Sequence, residues 1–205
     1  MLTQNVMEFT IETYEEVKVI PGQWALFQFE DEQWPFQRSY SIVYHDTDNE
    51  KTILIFAIIL SEHGRGSTII RKTTIGQEIL LKGIFGNFTT QNTNLPKVFI
   101  GIWIGIIPLI NMANHCPTNK TLFFSVSHKK DLFYEDRIKK IPGLGYEFFI
   151  TQESVPGYST WKIDFVQWNF DPHTEFYLSW QTEILDTIVN KLMFLGYKRI
   201  YTENF

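Results

Sequence analysis

Arg38-Ser39-Tyr40-Ser41 places a cation, a phenol and two hydroxyls in four consecutive residues, just after the Trp34-Pro35 turn and at the start of a strand-like run. Alone, the tetrapeptide is equally a half-buried strand aromatic beside a solvated charge, because short motifs specify loosely. Some two dozen residues on, Gly64-Arg65-Gly66-Ser67 follows another β-like run. There the glycines free the backbone, and Ser67 with the amides of a following helical turn can hold phosphate oxygens. GIFGNF, residues 83–88, adds a further glycine-punctuated turn. An arginine, a glycine-rich helix start and an exposed aromatic on one barrel are the parts that bind a dinucleotide, whose flat ring must be stacked and whose diphosphate must be neutralised.

A second stretch, VFIGIWIGIIPLINMA at residues 98–113, runs apolar, turns at Gly101 and continues into a helix-like segment. A strand-to-helix turn that holds a dinucleotide needs glycine, since only the absence of a Cβ lets backbone meet pyrophosphate. Here Ile102, Trp103 and Ile104 fill that turn.

Other reactive side chains are scattered. His45, His63, His115, His128 and His173 show no metal-ligand spacing, which predicts surface or capping roles and no metal site. Asp131, Glu135 and Asp136 alternate with Lys129, Lys130, Arg137, Lys139 and Lys140, as on a solvated helix face. Cys116 is the single cysteine, so there is no disulfide framework and no thiolate cluster for zinc or iron–sulfur; a cytoplasmic location is expected.

With 205 residues, 44% of them hydrophobic, the chain can bury a sizeable core and is long enough for two small domains. Aromatics reach 16%, with eighteen Phe, enough for stacking surfaces as well as core. A net charge of −5 without a basic cluster argues against nucleic acid as a partner. The longest apolar run, Val98 to Ile110, is interrupted by Gly and Pro and is too short to span a bilayer.

Short strands with turn punctuation are expected over the first ninety residues: VMEFTIE, VKVI closed by Pro21-Gly22, WALFQFE, SYSIVY, TILIFAIIL and EILLKGIFGNF. That spacing predicts a barrel or sandwich. After a polar linker at Thr90–Asn94 the texture becomes strand, helix, strand, helix, the mark of a doubly wound parallel sheet. Its strands are KVFIG, TLFFSVS, YEFFITQ and FYLSW, with helices from Pro108 to about His115, over DLFYEDRIKKI and over TEILDTIVNKLMFLG. In the last helix Ile184, Ile188, Leu192 and Leu195 are expected on one face, with Gly196 as the stop.

Taken in order, these motifs resemble the ferredoxin–NADP reductase superfamily, in the flavoprotein branch that includes oxygenase reductases. PGQW resembles the family's PGQ-aromatic turn, RSYS its Arg-x-Tyr-Ser/Thr flavin motif and GRGS its G-x-x-S/T turn. GIFGNF resembles G-P-x-G-x-F with Ile84 in place of Pro, and LGYKRIYTENF resembles the closing strand with its x-x-E-x-F ending. The resemblance implies an antiparallel flavin-binding β-barrel over residues 1–92 and a Rossmann-like domain over 93–205. Met1 falls about where the family's second strand begins, so either the barrel lacks its first strand or another segment replaces it. An open edge of that kind tends to be covered, and a homodimer is one way to cover it.

The resemblance further implies FAD as cofactor. Arg38 would pair with the pyrophosphate, Ser39 belongs to the same motif, Tyr40 would stack on the isoalloxazine, and Ser41 would reach the N5 edge where electrons enter and leave. Gly64, Gly66 and Ser67 would hold the pyrophosphate from the other side, and Phe205 would lie near the opposite flavin face or plug the core. Electrons would pass to or from a separate protein or a small molecule. Where the family reads G-G-T-G-I-x-P, Gly105, Ile106 and Pro108 remain after Gly101, but Ile102 and Trp103 displace the paired glycines. Where it reads C-G-P-x-x-M, this chain has Ser179-Trp180-Gln181-Thr182-Glu183-Ile184. Two such departures imply weak use of NADH and NADPH or none, and leave open a protein that keeps the fold and the FAD but serves as a binding or regulatory partner.

Overall fold

The computed structural model describes residues 1–31, 34–48, 50–160 and 169–204. The chain packs as two units, Met1–Thr89 and Thr90–Phe205.

Alternating burial builds the first. In β2 (Trp24–Phe29) every second residue, Ala25, Phe27 and Phe29, is buried, the period-two pattern of a strand with one face on a core. β1 (Val6–Glu12), β3 (Phe36–Asp48), β4 (Lys51–Ile59) and β5 (Leu80–Phe85) join it in an antiparallel sheet of order β1-β4-β3-β2-β5. Among the described residues no pairing joins β1 to β5, so the sheet is open along that seam. A short helix, α1 (Arg65–Lys72), leaves the end of β4 and returns Ile70 to the core. VKVI, expected as a strand, is not one. The Thr52 hydroxyl accepts from the Val17 amide at 2.8 Å and donates to its carbonyl, so a side chain satisfies the backbone groups that a ladder would. Pro21-Gly22 forms the expected turn, closed by Gln23 N–H to the Ile20 carbonyl at 3.1 Å with Gly22 at φ +101°.

The second unit is a parallel sheet of order β10-β9-β6-β7-β8. Its strands are β6 (Lys97–Ile102), β7 (Lys120–Val126), β8 (Leu144–Ile150), β9 (Glu175–Trp180) and β10 (Arg199–Asn204). The first five residues of β6 and of β9 are all buried, as in strands covered on both faces. The chain runs from β6 outward through β7 and β8, then returns to lay β9 on the other side of β6. That reversal makes the carboxyl ends of β6 and β9 the switch point, where open α/β sheets form their crevice. The antiparallel sheet followed by this Rossmann-like unit is the expected fold class.

Two helices differ from expectation. The charged helix shrinks to α3 (Glu135–Lys139), because Tyr134 before it takes φ +58°, a left-handed value that no helix continues through. Its Glu135 is only partly exposed: burial would raise its carboxyl, but Lys129, Lys139 and Tyr158 surround it and hold it down to about 2. In α4 (Thr182–Phe194) the buried stripe is Leu185, Ile188 and Leu192, while Ile184 and Leu195 are 42% and 37% exposed. The apolar residues of this helix occupy more than one stripe, and the sheet selects the one that reaches Val98, Leu178 and Tyr197. Gly196 ends the helix at φ +94°, as expected. α2 (Ile106–His115) is buried over Ile106–Ala113, and Lys120 closes its carboxyl end by donating to Ala113 O at 2.8 Å and Cys116 O at 2.7 Å. Burial lowers that ammonium's pKa. The Cys116 thiol is buried beside Thr118 Oγ1 at 3.2 Å.

Candidate functional site

β3 carries the RSYS tetrapeptide, and the two-residue period puts Arg38 and Tyr40 on one face, Ser39 and Ser41 on the other. α1 begins directly after Gly64. These segments, far apart in sequence, meet at Gly66, where an added Cβ would lie 2.9 Å from Tyr40 Oη and 3.3 Å from Arg38 Cγ. Any larger residue there would push these two side chains aside, so glycine lets the start of α1 lie this close to them.

Tyr40 is half-buried, edge-on to Phe9 at 6.2 Å and tilted against Phe27 at 6.1 Å. Burial raises its phenol pKa, with Arg38 pulling the other way. Arg38 is exposed; it donates to the Gln37 carbonyl at 2.7 Å, lies 4.9 Å from the Phe36 centroid and forms no ion pair among the described residues. Ser41 is buried and its hydroxyl has no hydrogen-bond partner among the described residues, whereas Ser39 is exposed. The Ser67 hydroxyl is engaged by the chain itself: it accepts from the Ser61 amide at 3.1 Å and donates to the Ile59 carbonyl at 3.4 Å. A Cβ on Gly64 would reach Ser61 Oγ at 2.2 Å, so this glycine serves the packing of the same loop. The corner therefore offers an unpaired cation and a Cβ-free helix start beside a phenol, a set that fits an anionic ligand with a flat ring, while the Ser41 hydroxyl lies on the other face of β3.

Sequence reasoning missed Arg65 at this corner. It binds Asp31 through contacts of 2.6 and 2.7 Å and donates to the Trp34 carbonyl at 2.7 Å. Asp31 and Arg65 stand 34 residues apart, a separation that carries no periodic signal.

The second set gathers at the switch point. Gly101 ends the buried run of β6, and a Cβ there would fall 2.7 Å from the Ile106 backbone. A Cβ on Gly105 would fall 2.1 Å from the Ser179 carbonyl. Both glycines serve contacts within the unit. Pro108 sits in the first turn of α2, where its missing N–H has no intrahelical partner to lose. Ile102 packs on the core cluster beside Trp180. Trp103 takes φ +47°, a left-handed value that glycine meets without strain and an indole does not, and its ring meets Trp180 edge to face at 6.0 Å.

Next to them lie groups that sequence reasoning did not single out. Ser179 is in register with Gly101 on one side and Glu203 on the other. Ser179 Oγ, Trp180 Nε1 and Glu203 Oε2 are buried and have no hydrogen-bond partner among the described residues. Burial raises the Glu203 carboxyl to about 7. Phe205 lies outside the described residues.

No protein-family profile matches the chain. The electron transfer subunit of dihydroorotate dehydrogenase B (NAD(+)) from Clostridium acetobutylicum is 27% identical over 111 residues, 54% of this chain. The match takes in 43% of that protein, so the chain spans under half of this curated relative. The flavohem-like FAD/NAD binding domain of nitric oxide dioxygenase from Vibrio cholerae O1 biovar El Tor superposes with a TM-score of 0.89 over 100% of this chain and 94% of that one, at 16% identity. A ferredoxin NADP+ reductase from Neisseria gonorrhoeae, with bound FAD and NADP, superposes with a TM-score of 0.84 over 98% of this chain and 92% of that one, at 21% identity. The chain shares its fold with these two proteins.

Within that fold the ordered motifs fall on the β3–α1 corner of the first sheet and on the switch point of the second. No described helix is long and apolar enough to cross a membrane.

Proposed function

We propose that this chain binds FAD through its first unit and works as an electron-transfer flavoprotein oxidoreductase that draws weakly or not at all on NADH and NADPH. The observation that carries the reading is the approach of Gly66 to Arg38 and Tyr40, which builds a diphosphate corner beside an aromatic from motifs 26 residues apart. The curated relative is an electron transfer subunit, and the superposed domains are FAD/NAD-binding or carry FAD.

Bound FAD supplies the electron chemistry that side chains lack. The chain's part is to hold and orient it. Arg38, without a carboxylate of its own, pairs with the diphosphate; the first amides of α1 face the same anion; Tyr40 lies along the ring system. Gly64 and Ser67 set the backbone of that turn, and Ser41 offers its hydroxyl to the N5 edge. The electron partner is a separate protein or a small molecule, in the cytoplasm. A second copy of the chain is the candidate for covering the free β1 and β5 edges.

Trp103 and Trp180 favour the restriction on nicotinamide nucleotides. Their indoles occupy the switch-point turn where a pyrophosphate needs bare backbone. The same observation favours a second reading, a protein that binds FAD without turnover and serves a regulatory role. The FAD-loaded protein, mixed anaerobically with NADH or NADPH, should keep its flavin absorbance over the time in which dithionite removes it. Stoichiometric bleaching by micromolar NADH or NADPH would overturn the restriction. Reduction by a protein donor but not by the nucleotides separates the oxidoreductase from the regulatory reading.

A further inference from the structure

One large aromatic beside the diphosphate corner has no role in this account. Trp34 is 61% exposed, yet its backbone is fastened on both sides. Its N–H donates to Asp31 Oδ1 at 3.3 Å, and its carbonyl accepts from Arg65 Nη2 at 2.7 Å. The Arg65 guanidinium lies 4.9 Å from the Trp34 centroid and 4.1 Å from that of Phe36. Arg38 lies 4.9 Å from the same Phe36 ring.

This arrangement divides the two arginines by task. Asp31 holds Arg65 through two short contacts, so its charge is already met and its planar fork fixes Trp34 in place. Arg38 has no such partner and keeps its charge for a ligand. An indole in water forgoes the stabilisation that burial would give it, and here the chain holds one in the open beside the first residue of α1. A flat surface, exposed but rigid and next to an anion site, is what a nucleobase stacks on.

We propose that Trp34 is the platform on which the adenine of FAD stacks, and that it sets the preference of this site for the dinucleotide over FMN. The inference rests on the FAD reading above. Arg65, which fixes Trp34, is also the first residue of α1, so the indole stands next to the helix start that would face the diphosphate and within reach of its adenosine half. FMN has no adenine and gains nothing from the indole.

Flavin binding, followed by quenching of flavin fluorescence, tests this with FAD and FMN on the parent, Trp34→Ala and Trp34→Phe. Trp34 is exposed, so the substitutions should leave the fold intact, which the melting temperature checks. The parent should bind FAD more tightly than FMN. Trp34→Ala should lose about tenfold in FAD affinity while its FMN affinity stays within about twofold, and Trp34→Phe should recover most of the FAD loss. ADP should compete with FAD in the parent and more weakly in Trp34→Ala. Unchanged FAD affinity in Trp34→Ala, or equal losses for FAD and FMN, would overturn the stacking role and leave FAD binding standing. A parent that binds neither flavin would overturn both.

Discussion

The indole rings of Trp103 and Trp180 meet edge to face with 6.0 Å between centroids, and Trp103 reaches that contact from a backbone at φ +47°. The turn thus keeps an unfavourable conformation in order to hold a bulky ring at the switch point. A left-handed residue other than glycine costs about 1–2 kcal/mol, and an aromatic pair returns about 0.5–1.5 kcal/mol.

Trp103→Gly should therefore be nearly neutral in stability, since it loses the ring contact and gains a compatible backbone. Trp103→Ala loses the contact and keeps the strain, so it should be less stable than Trp103→Gly by about 1 kcal/mol. Denaturant unfolding of the two variants checks the difference. In the FAD-loaded Ile102→Gly, Trp103→Gly double variant, reduction by NADH should accelerate over the parent; an unaltered rate would mean that the indole does not block the turn.

Arg38→Ala should weaken FAD binding by about 2–4 kcal/mol, the scale of a charge-assisted pair with phosphate. Its melting temperature without flavin should change little, because the side chain is exposed and has no ion pair among the described residues. Titration calorimetry against FAD measures the first effect and thermal unfolding the second.

Tyr40→Ala should cost about 1 kcal/mol or more of FAD affinity and shift the flavin absorption. It should also destabilise the free protein, because Phe9 and Phe27 lose a neighbour in the core. Tyr40→Phe keeps the ring and should be nearly silent in both. A spectrum and affinity unaltered in Tyr40→Ala would leave this residue a core aromatic alone.

Glu203 gives a pH signature of defined sign. Its carboxyl stays protonated in the folded chain up to about 7, against 4.5 for an ordinary glutamate. Between these values the folded state binds the extra proton, so stability falls as pH rises from about 4.5 through 7 and levels off above. The loss is about 3 kcal/mol at most. Glu203→Gln should remove this fall and be more stable than the parent at pH 8. A parallel pH dependence in both proteins would place the carboxyl elsewhere.

The motifs that build the β3–α1 corner were legible because each occupies four consecutive residues and the fold needs them in a fixed order. RSYS and GRGS gained meaning from their order along the chain and from the family they resemble, and the parallel unit from its alternation of apolar runs with helical segments. Contacts made across the fold were not legible. Nothing in sequence links Asp31 to Arg65, nor the buried Lys97 to Glu175, an ion pair of 3.2 Å at the start of β6 and β9. The stripe of α4 was misread because Ile184 and Leu195 are as apolar as Leu185, and only the sheet beneath decides which side is inside. VKVI has the composition of a strand, but Thr52 takes its backbone bonds.

FAD titration of the parent and of Gly66→Val probes the flavin corner itself, because that corner depends on the space at Gly66. A valine Cβ would lie 2.9 Å from Tyr40 Oη and 3.3 Å from Arg38 Cγ, displacing the two side chains that define the corner. The parent should be yellow and bind one FAD per chain with oxidised-flavin absorbance, and Gly66→Val should bind at least about tenfold more weakly, a loss of about 1.4 kcal/mol. A parent that binds no flavin, or a folded Gly66→Val variant that binds FAD as the parent does, would contradict this reading of the corner.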